Sequence, residues 1–157
     1  MKITLLTVGK TEDDYLKEGI EKYVKRLKHY AKFEIIELAE LKNTKALTEE
    51  QQKSKEADLI LKKIAPLDYV VLLDENGMEL SSAQFAGYIN KRQISASANL
   101  IFVVGGPYGF DASVHQRAND KLSLSPMTFS HQMVRLFFVE QLYRAFTIIK
   151  GEPYHHS

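Results

Sequence analysis

Apolar residues fall along this chain in short continuous runs that alternate with longer stretches of helical period. Lys2–Val8 (KITLLTV) is a β-rich run that stops at Gly9 and reads as a buried strand. Thr11 and Asp14 have capping-box spacing, and the helix they would open puts Tyr15, Leu16, Ile20, Tyr23, Val24 and Leu27 on one face. Phe33–Leu38 (FEIIEL) predicts a second strand. Residues 39–56 are polar and read as a mobile loop, although Thr48 and Gln51 have the spacing to cap a helix burying Ile60, Leu61 and Ile64. Tyr69–Leu73 (YVVLL) is a third strand, broken by Asn76-Gly77, and Ser81 with Gln84 caps a helix through about Ile94. Leu100–Val104 (LIFVV) is a fourth strand leading into Gly105-Gly106-Pro107-Tyr108-Gly109, and Lys121–Leu124 is a fifth. A final helix runs from about Ser130 to Lys150, with Gly151 as its stop and Pro153 beyond.

Strands alternating with helices predict an α/β domain whose sheet is mostly parallel, with helices on both faces. Its length of 157 residues suits a single domain spanning 1–157. Ligands of such sheets bind beyond the carboxyl ends of the strands. That rule selects three loops, Asp74–Gly77, Gly105–Phe110 and Ser125–Phe129.

Composition narrows the class. With 45% apolar and 26% charged residues, the chain has the balance of a soluble globule and not of a disordered segment. It has no cysteine, which excludes disulfides, thiolate metal sites and thiol nucleophiles. No apolar run reaches the roughly 18 residues of a membrane span. The start MKITLLTVGKTEDD turns acidic at once and is not a signal peptide, so a cytoplasmic protein is expected. A net charge of +1 argues against a general nucleic-acid coat. Residues 1–66 carry 14 basic and 12 acidic side chains, whereas 67–157 carry only 7 and 8. The second part is the more buried one, and its few charges are the better candidates for chemistry.

GGPYG lets a backbone approach a nucleotide-like ligand, or is simply a strand-to-helix turn. It is neither a dinucleotide fingerprint nor a phosphate-binding P-loop, which leaves a nucleotide-dependent oxidoreductase without its motif. Leu124–Phe129 is apolar at three of six positions and contains a Pro. A loop buried there would need a ligand to satisfy its backbone, unless it is a packed connector ending in a Thr128 or Ser130 cap. The last helix is apolar almost all round, so it must be covered on both sides, by its own fold or by a second subunit. His131 and Arg135 share one of its faces, and Glu140 with Arg144 forms an i, i+4 pair that also reads as a plain ion pair. Tyr154-His155-His156 reads as a frayed end, and no spacing supports a metal. Lys17, Lys25, Lys28 and Lys32 on the first helix are explained largely by a solvated face.

Taken together, MKITLLTVGK, FVVGGPYGF, LSLSPMTFSHQMVRLFFVEQLYRAF and the closing GEPYHHS resemble one bacterial family from end to end. It is the ribosomal RNA large subunit methyltransferase H family of the SPOUT superfamily. The resemblance implies a trefoil-knotted α/β fold, S-adenosylmethionine (AdoMet) as methyl donor, and an obligate homodimer. Carried over by position, cofactor contacts fall at Leu73, Gly105, Leu124, Ser125, Pro126, Met127, Thr128 and Phe129, within or beside the loops selected above. The implied substrate is a pseudouridine in a hairpin loop of 23S rRNA, methylated at N3 on the assembled ribosome, without metal. A non-catalytic ribosome-binding factor with the same fold is the alternative. Removing an imide proton and easing charge on the flanking carbonyls asks for a His or Tyr near an Arg. His131, Arg135, Arg144, Tyr154 and His155 are the candidates. Where the family pattern has a basic residue after Tyr-His, this chain has His156. In a two-fold dimer, Tyr154 and His155 are expected to cross to the cofactor pocket of the partner.

Overall fold

The computed structural model describes residues 1–95 and 98–156. Lys2–Val8 (β1), Lys32–Leu38 (β2), Tyr69–Glu79 (β3), Leu100–Val104 (β4) and Asp120–Ser123 (β5) pair into one parallel sheet in the order β2-β1-β4-β3-β5. Side chains alternate across it, and both sets are apolar. Ile3, Leu5, Leu100 and Phe102 face one core with Asp14–Leu27 (α1), Ser82–Ser95 (α3) and Met133–Lys150 (α5). Leu6, Val8, Ile101 and Val103 face a second core with Glu49–Lys62 (α2) and Ala112–Arg117 (α4). Continuous apolar strands with helices on both faces are the physical consequence of covering a parallel sheet twice.

Local chemistry fixes the element ends. Thr48 Oγ1 accepts the Gln51 amide at 3.1 Å while Gln51 Oε1 accepts the Thr48 amide at 2.9 Å. Ser81 and Gln84 repeat the arrangement before α3. Most of the stretch expected to be a mobile loop is therefore ordered, with one 3-10 turn at Thr44–Ala46 before α2. The capping box expected at Thr11 does not form. Asp13 stands at the cap, and Thr11 is turned inward, where its amide donates to Glu37 and its hydroxyl accepts from Arg135. Tyr15, expected on the buried face, is exposed.

Two further expectations change. Asn76-Gly77 does not end β3. The strand continues to Glu79 with a register shift, so that Leu122 lies opposite both Leu73 and Met78. A Cβ on Gly77 would stand 2.6 Å from the Lys121 backbone, so glycine lets the displaced strand lie against β5. The last helix begins at Met133, three residues later than expected, because Gln132 is held by the loop after β1. Its side-chain Nε2 donates to the Lys10 carbonyl at 3.0 Å, and its Oε1 accepts the Glu12 backbone amide at 2.9 Å. Gly151, with φ of 68°, closes that helix as expected.

Candidate functional site

The ends of β4 and β5 and the register shift in the middle of β3 open into a cavity of about 630 Å³. Each segment that the parallel-sheet rule selected contributes a wall, although Asp74–Gly77, expected as a loop, is the irregular middle of β3. Leu73, Gly105, Leu124, Ser125, Met127, Thr128 and Phe129 line it, and Pro126 lies in the same loop without lining it. His131 and Val134 close one side where the chain enters α5.

The glycine loop is shaped by contact and by φ. A Cβ on Gly105 would meet the Phe110 ring at 3.0 Å and the Gly109 carbonyl at 3.3 Å, so the backbone rests directly on that ring. Gly109 has φ of 82°, which favours glycine, and its amide donates back to the Gly106 carbonyl at 3.2 Å. Of Leu124–Phe129, the segment whose burial would have needed a ligand, residues 126–129 are exposed. Serines hold that loop internally. Ser123 Oγ donates to the Ser125 carbonyl at 2.8 Å, and Ser125 Oγ accepts the Met127 amide at 3.0 Å. Thr128 Oγ1 donates to Glu75 Oε2 at 2.6 Å and ties this loop to the irregular middle of β3.

The lining is polar at its rim and apolar in its depth. Asp74 and Glu75 stand among the lining residues with no Lys or Arg, so the field favours a cationic ligand. His115, on the short α4, also lines the cavity. Sequence reading missed it because six residues are too few to show a helical period.

The five expected catalytic side chains separate into three places. His131 lines the cavity. Arg135 does not, being 1% exposed beneath the β1 terminus, where it donates to the Val8 and Gly9 carbonyls and to Thr11 Oγ1. Its Nε donates to the His131 carbonyl at 3.0 Å. Arg144, Tyr154 and His155 form a cluster of their own on the later turns of α5, and none of them lines the cavity of its own chain.

The tail in that cluster is docked, not frayed. Tyr154 donates to Glu140 Oε1 at 3.0 Å, packs edge-on to Tyr143, and lies under the Arg144 guanidinium. Burial, then hydrogen bonds to Tyr23 and Glu140, raise its pKa, so the phenol stays neutral and acts as a donor. Arg144 pairs with Glu140 and donates to His155 Nδ1 at 3.0 Å. A guanidinium can only donate, so Nδ1 is the acceptor and the neutral ring carries its proton on Nε2.

Beside the cavity lies an apolar groove of about 370 Å³ between α3, β5 and α5. Phe129 and Phe137 stand over it with ring centroids 4.8 Å apart, and Phe137 is 38% exposed. No helix among the described residues is long and apolar enough to cross a membrane, and no group of three or more metal-ligating side chains was found among them.

Residues 1–155 match the family described as "Predicted SPOUT methyltransferase". The "Ribosomal RNA large subunit methyltransferase H" of Christiangramia forsetii is 58% identical over 156 residues, 99% of each chain. That of Parabacteroides distasonis is 54% identical over 157 residues, the full length of both. Among solved structures, a probable methyltransferase from Bordetella pertussis Tohama I superposes with a TM-score of 0.56. The match covers 92% of this chain and 96% of that one at 9% identity, which speaks to the fold alone.

Proposed function

The chain belongs to the SPOUT methyltransferase family, and from that premise we propose that it transfers a methyl group from AdoMet to N3 of a pseudouridine in a 23S rRNA hairpin loop. The reaction takes place on the assembled ribosome, hence in the cytoplasm. The single observation that carries this reading is the cavity between mid-β3 and the loops after β4 and β5, in a chain whose relatives bear an rRNA methyltransferase name over their full length. The family fold also implies a trefoil knot.

The residues present fit AdoMet. Leu73, Val104, Leu122 and Leu124 offer apolar walls for the adenine, and the Gly105 turn gives a backbone edge free of side chain. Asp74 and Glu75 suit the ammonium and the sulfonium. When bound, AdoMet supplies an already activated methyl group, so the protein must align the acceptor and manage one proton. His131 is the imidazole at the rim that takes the N3 proton. His155, whose Nδ1 accepts from Arg144 and whose Nε2 therefore carries the proton, donates to a carbonyl flanking N3 as charge develops there.

Within one chain these two groups lie apart, so the site is completed by a homodimer. The exposed Phe137 and the groove beside it lie on the helix that is apolar almost all round, and a second copy covers them. Tyr154 and His155 of the partner subunit then reach the cavity.

The test is methyl transfer from labelled AdoMet to ribosomes that contain or lack the target pseudouridine. Label is expected in 23S rRNA of the first set only. Equal labelling of both sets, or none, overturns the assignment.

A further inference from the structure

Glu56 lies in the middle of α2, on the face of the sheet away from α5, and the reaction described above makes no use of it. It is 4% exposed among Ala57, Ile60 and the second apolar core. Buried carboxylates are normally paired with a cation. Among the described residues this one forms no ion pair, and its single hydrogen bond comes from Gln52 Nε2 on its own helix at 3.3 Å. Its Oε1 has no partner at all. Burial raises its pKa, and the carboxylate of Glu40 adds to the shift.

What the carboxyl group does touch is the glycine loop. A Cβ built on Gly106 would stand 2.6 Å from both Oε1 and Oε2, so the acid fills the space that a side chain at Gly106 would take. Gly106 lines the cavity from the opposite side. Thus one thickness of backbone separates the ligand space from an unpartnered, nine-tenths-buried acceptor. An apolar side chain of the same size would fill the core there at less cost, since it would strand no polar atom.

We propose that Glu56 is a positioning residue for the cofactor, its free Oε1 accepting an amide N–H of the Gly105–Gly106 turn when AdoMet fills the cavity. The inference rests on the reading of the cavity as the AdoMet site. Glycine at both positions allows the small peptide rotation that the bond requires. The carboxyl then locks the cavity wall from behind in the bound state, and it is left unsatisfied in the empty one. Stability of the free protein is lowered and ligand affinity is raised by the same atom.

Calorimetric titration with AdoMet, paired with thermal unfolding of the ligand-free protein, tests this in wild type, Glu56→Gln and Glu56→Met. Gln keeps an acceptor oxygen and is expected to bind within about twofold of wild type. Met keeps the volume without an acceptor. It is expected to weaken AdoMet binding about tenfold, the worth of one well-made hydrogen bond, while the melting temperature holds or rises. In turnover, the loss should appear in KM for AdoMet and leave KM for ribosomes unchanged. Wild-type affinity in Glu56→Met overturns the proposal, as does a loss of affinity that merely follows a lower melting temperature. A wild type that gives no heat with AdoMet overturns the cofactor reading itself, and the proposal falls with it.

Discussion

The Tyr154 hydroxyl donates to Glu140 Oε1 at 3.0 Å, fastening the last residues of the chain to the middle of α5. The same carboxylate oxygen pairs with Arg144, whose other terminal nitrogen holds His155. One glutamate therefore sets the orientation of three groups. Tyr154→Phe removes one donor and leaves Glu140 paired with Arg144. We expect a loss of about 0.5–1.5 kcal/mol in urea unfolding and a larger proportional fall in methyl transfer. Activity that falls only as far as stability would remove the tail from the reaction.

Arg135 holds the β1 terminus, so its replacement is expected to act on folding. Arg135→Ala strands the Val8 and Gly9 carbonyls and is expected to cost about 2–4 kcal/mol by chemical denaturation. Arg135→Lys should recover only part of this, because an ammonium cannot span the same acceptors as a fork. A stable Arg135→Ala protein that binds AdoMet normally and fails only in turnover would restore the catalytic assignment.

Gly77→Ala places a methyl group 2.6 Å from the Lys121 backbone, and neither strand can yield cheaply. A destabilisation of about 1–3 kcal/mol is expected, with weakened AdoMet binding because β5 carries a wall of the cavity. The measurement is a thermal melt with and without AdoMet. An unchanged melting temperature would contradict the close pairing of β3 and β5.

Glu56 also predicts a pH dependence. Its folded pKa is raised above the ordinary 4.5 by burial and by Glu40, so below pH 4.5 both folded and unfolded chains hold the proton. As pH climbs past that value the unfolded chain releases it first, and wild type loses stability relative to Glu56→Gln. The gap between the two melting temperatures should open with rising pH and level off above the raised pKa. A constant gap across that range would show that the group is not perturbed.

A composite site is tested by mixing defects. Gly105→Arg fills the cavity wall but keeps the tail, and a chain ending at Pro153 keeps the cavity but lacks Tyr154 and His155. Each homodimer is expected to be inactive, and purified heterodimers should regain one working site of two. Inactive heterodimers from well-folded parents would show that tail and cavity act within one chain. Phe137→Glu adds a second check, with sedimentation expected to show monomers.

The family resemblance, and with it the expected cofactor and substrate, was legible in long specific runs of sequence. So were the α/β class and two of the three ligand loops, because strand runs, capping boxes at Thr48 and Ser81, and the rule of strand ends are all local or periodic signals, whereas Asp74–Gly77 proved to lie inside β3. Other features depended on contacts distant in sequence. Gly77 looked like a turn glycine, yet it serves the approach of β3 to β5, which lies more than forty residues on. Arg135 shared a helix face with His131 and looked catalytic, but three carbonyls and a threonine absorb its donors. Glu56 had nothing in its spacing to single it out, since its importance comes from Gly106 arriving opposite it from another loop. Sequence determined which segments form strands and helices and where a ligand would enter. Tertiary structure decided which polar side chains face that ligand and which hold the scaffold, because a charge takes its role from the partners that desolvation forces upon it.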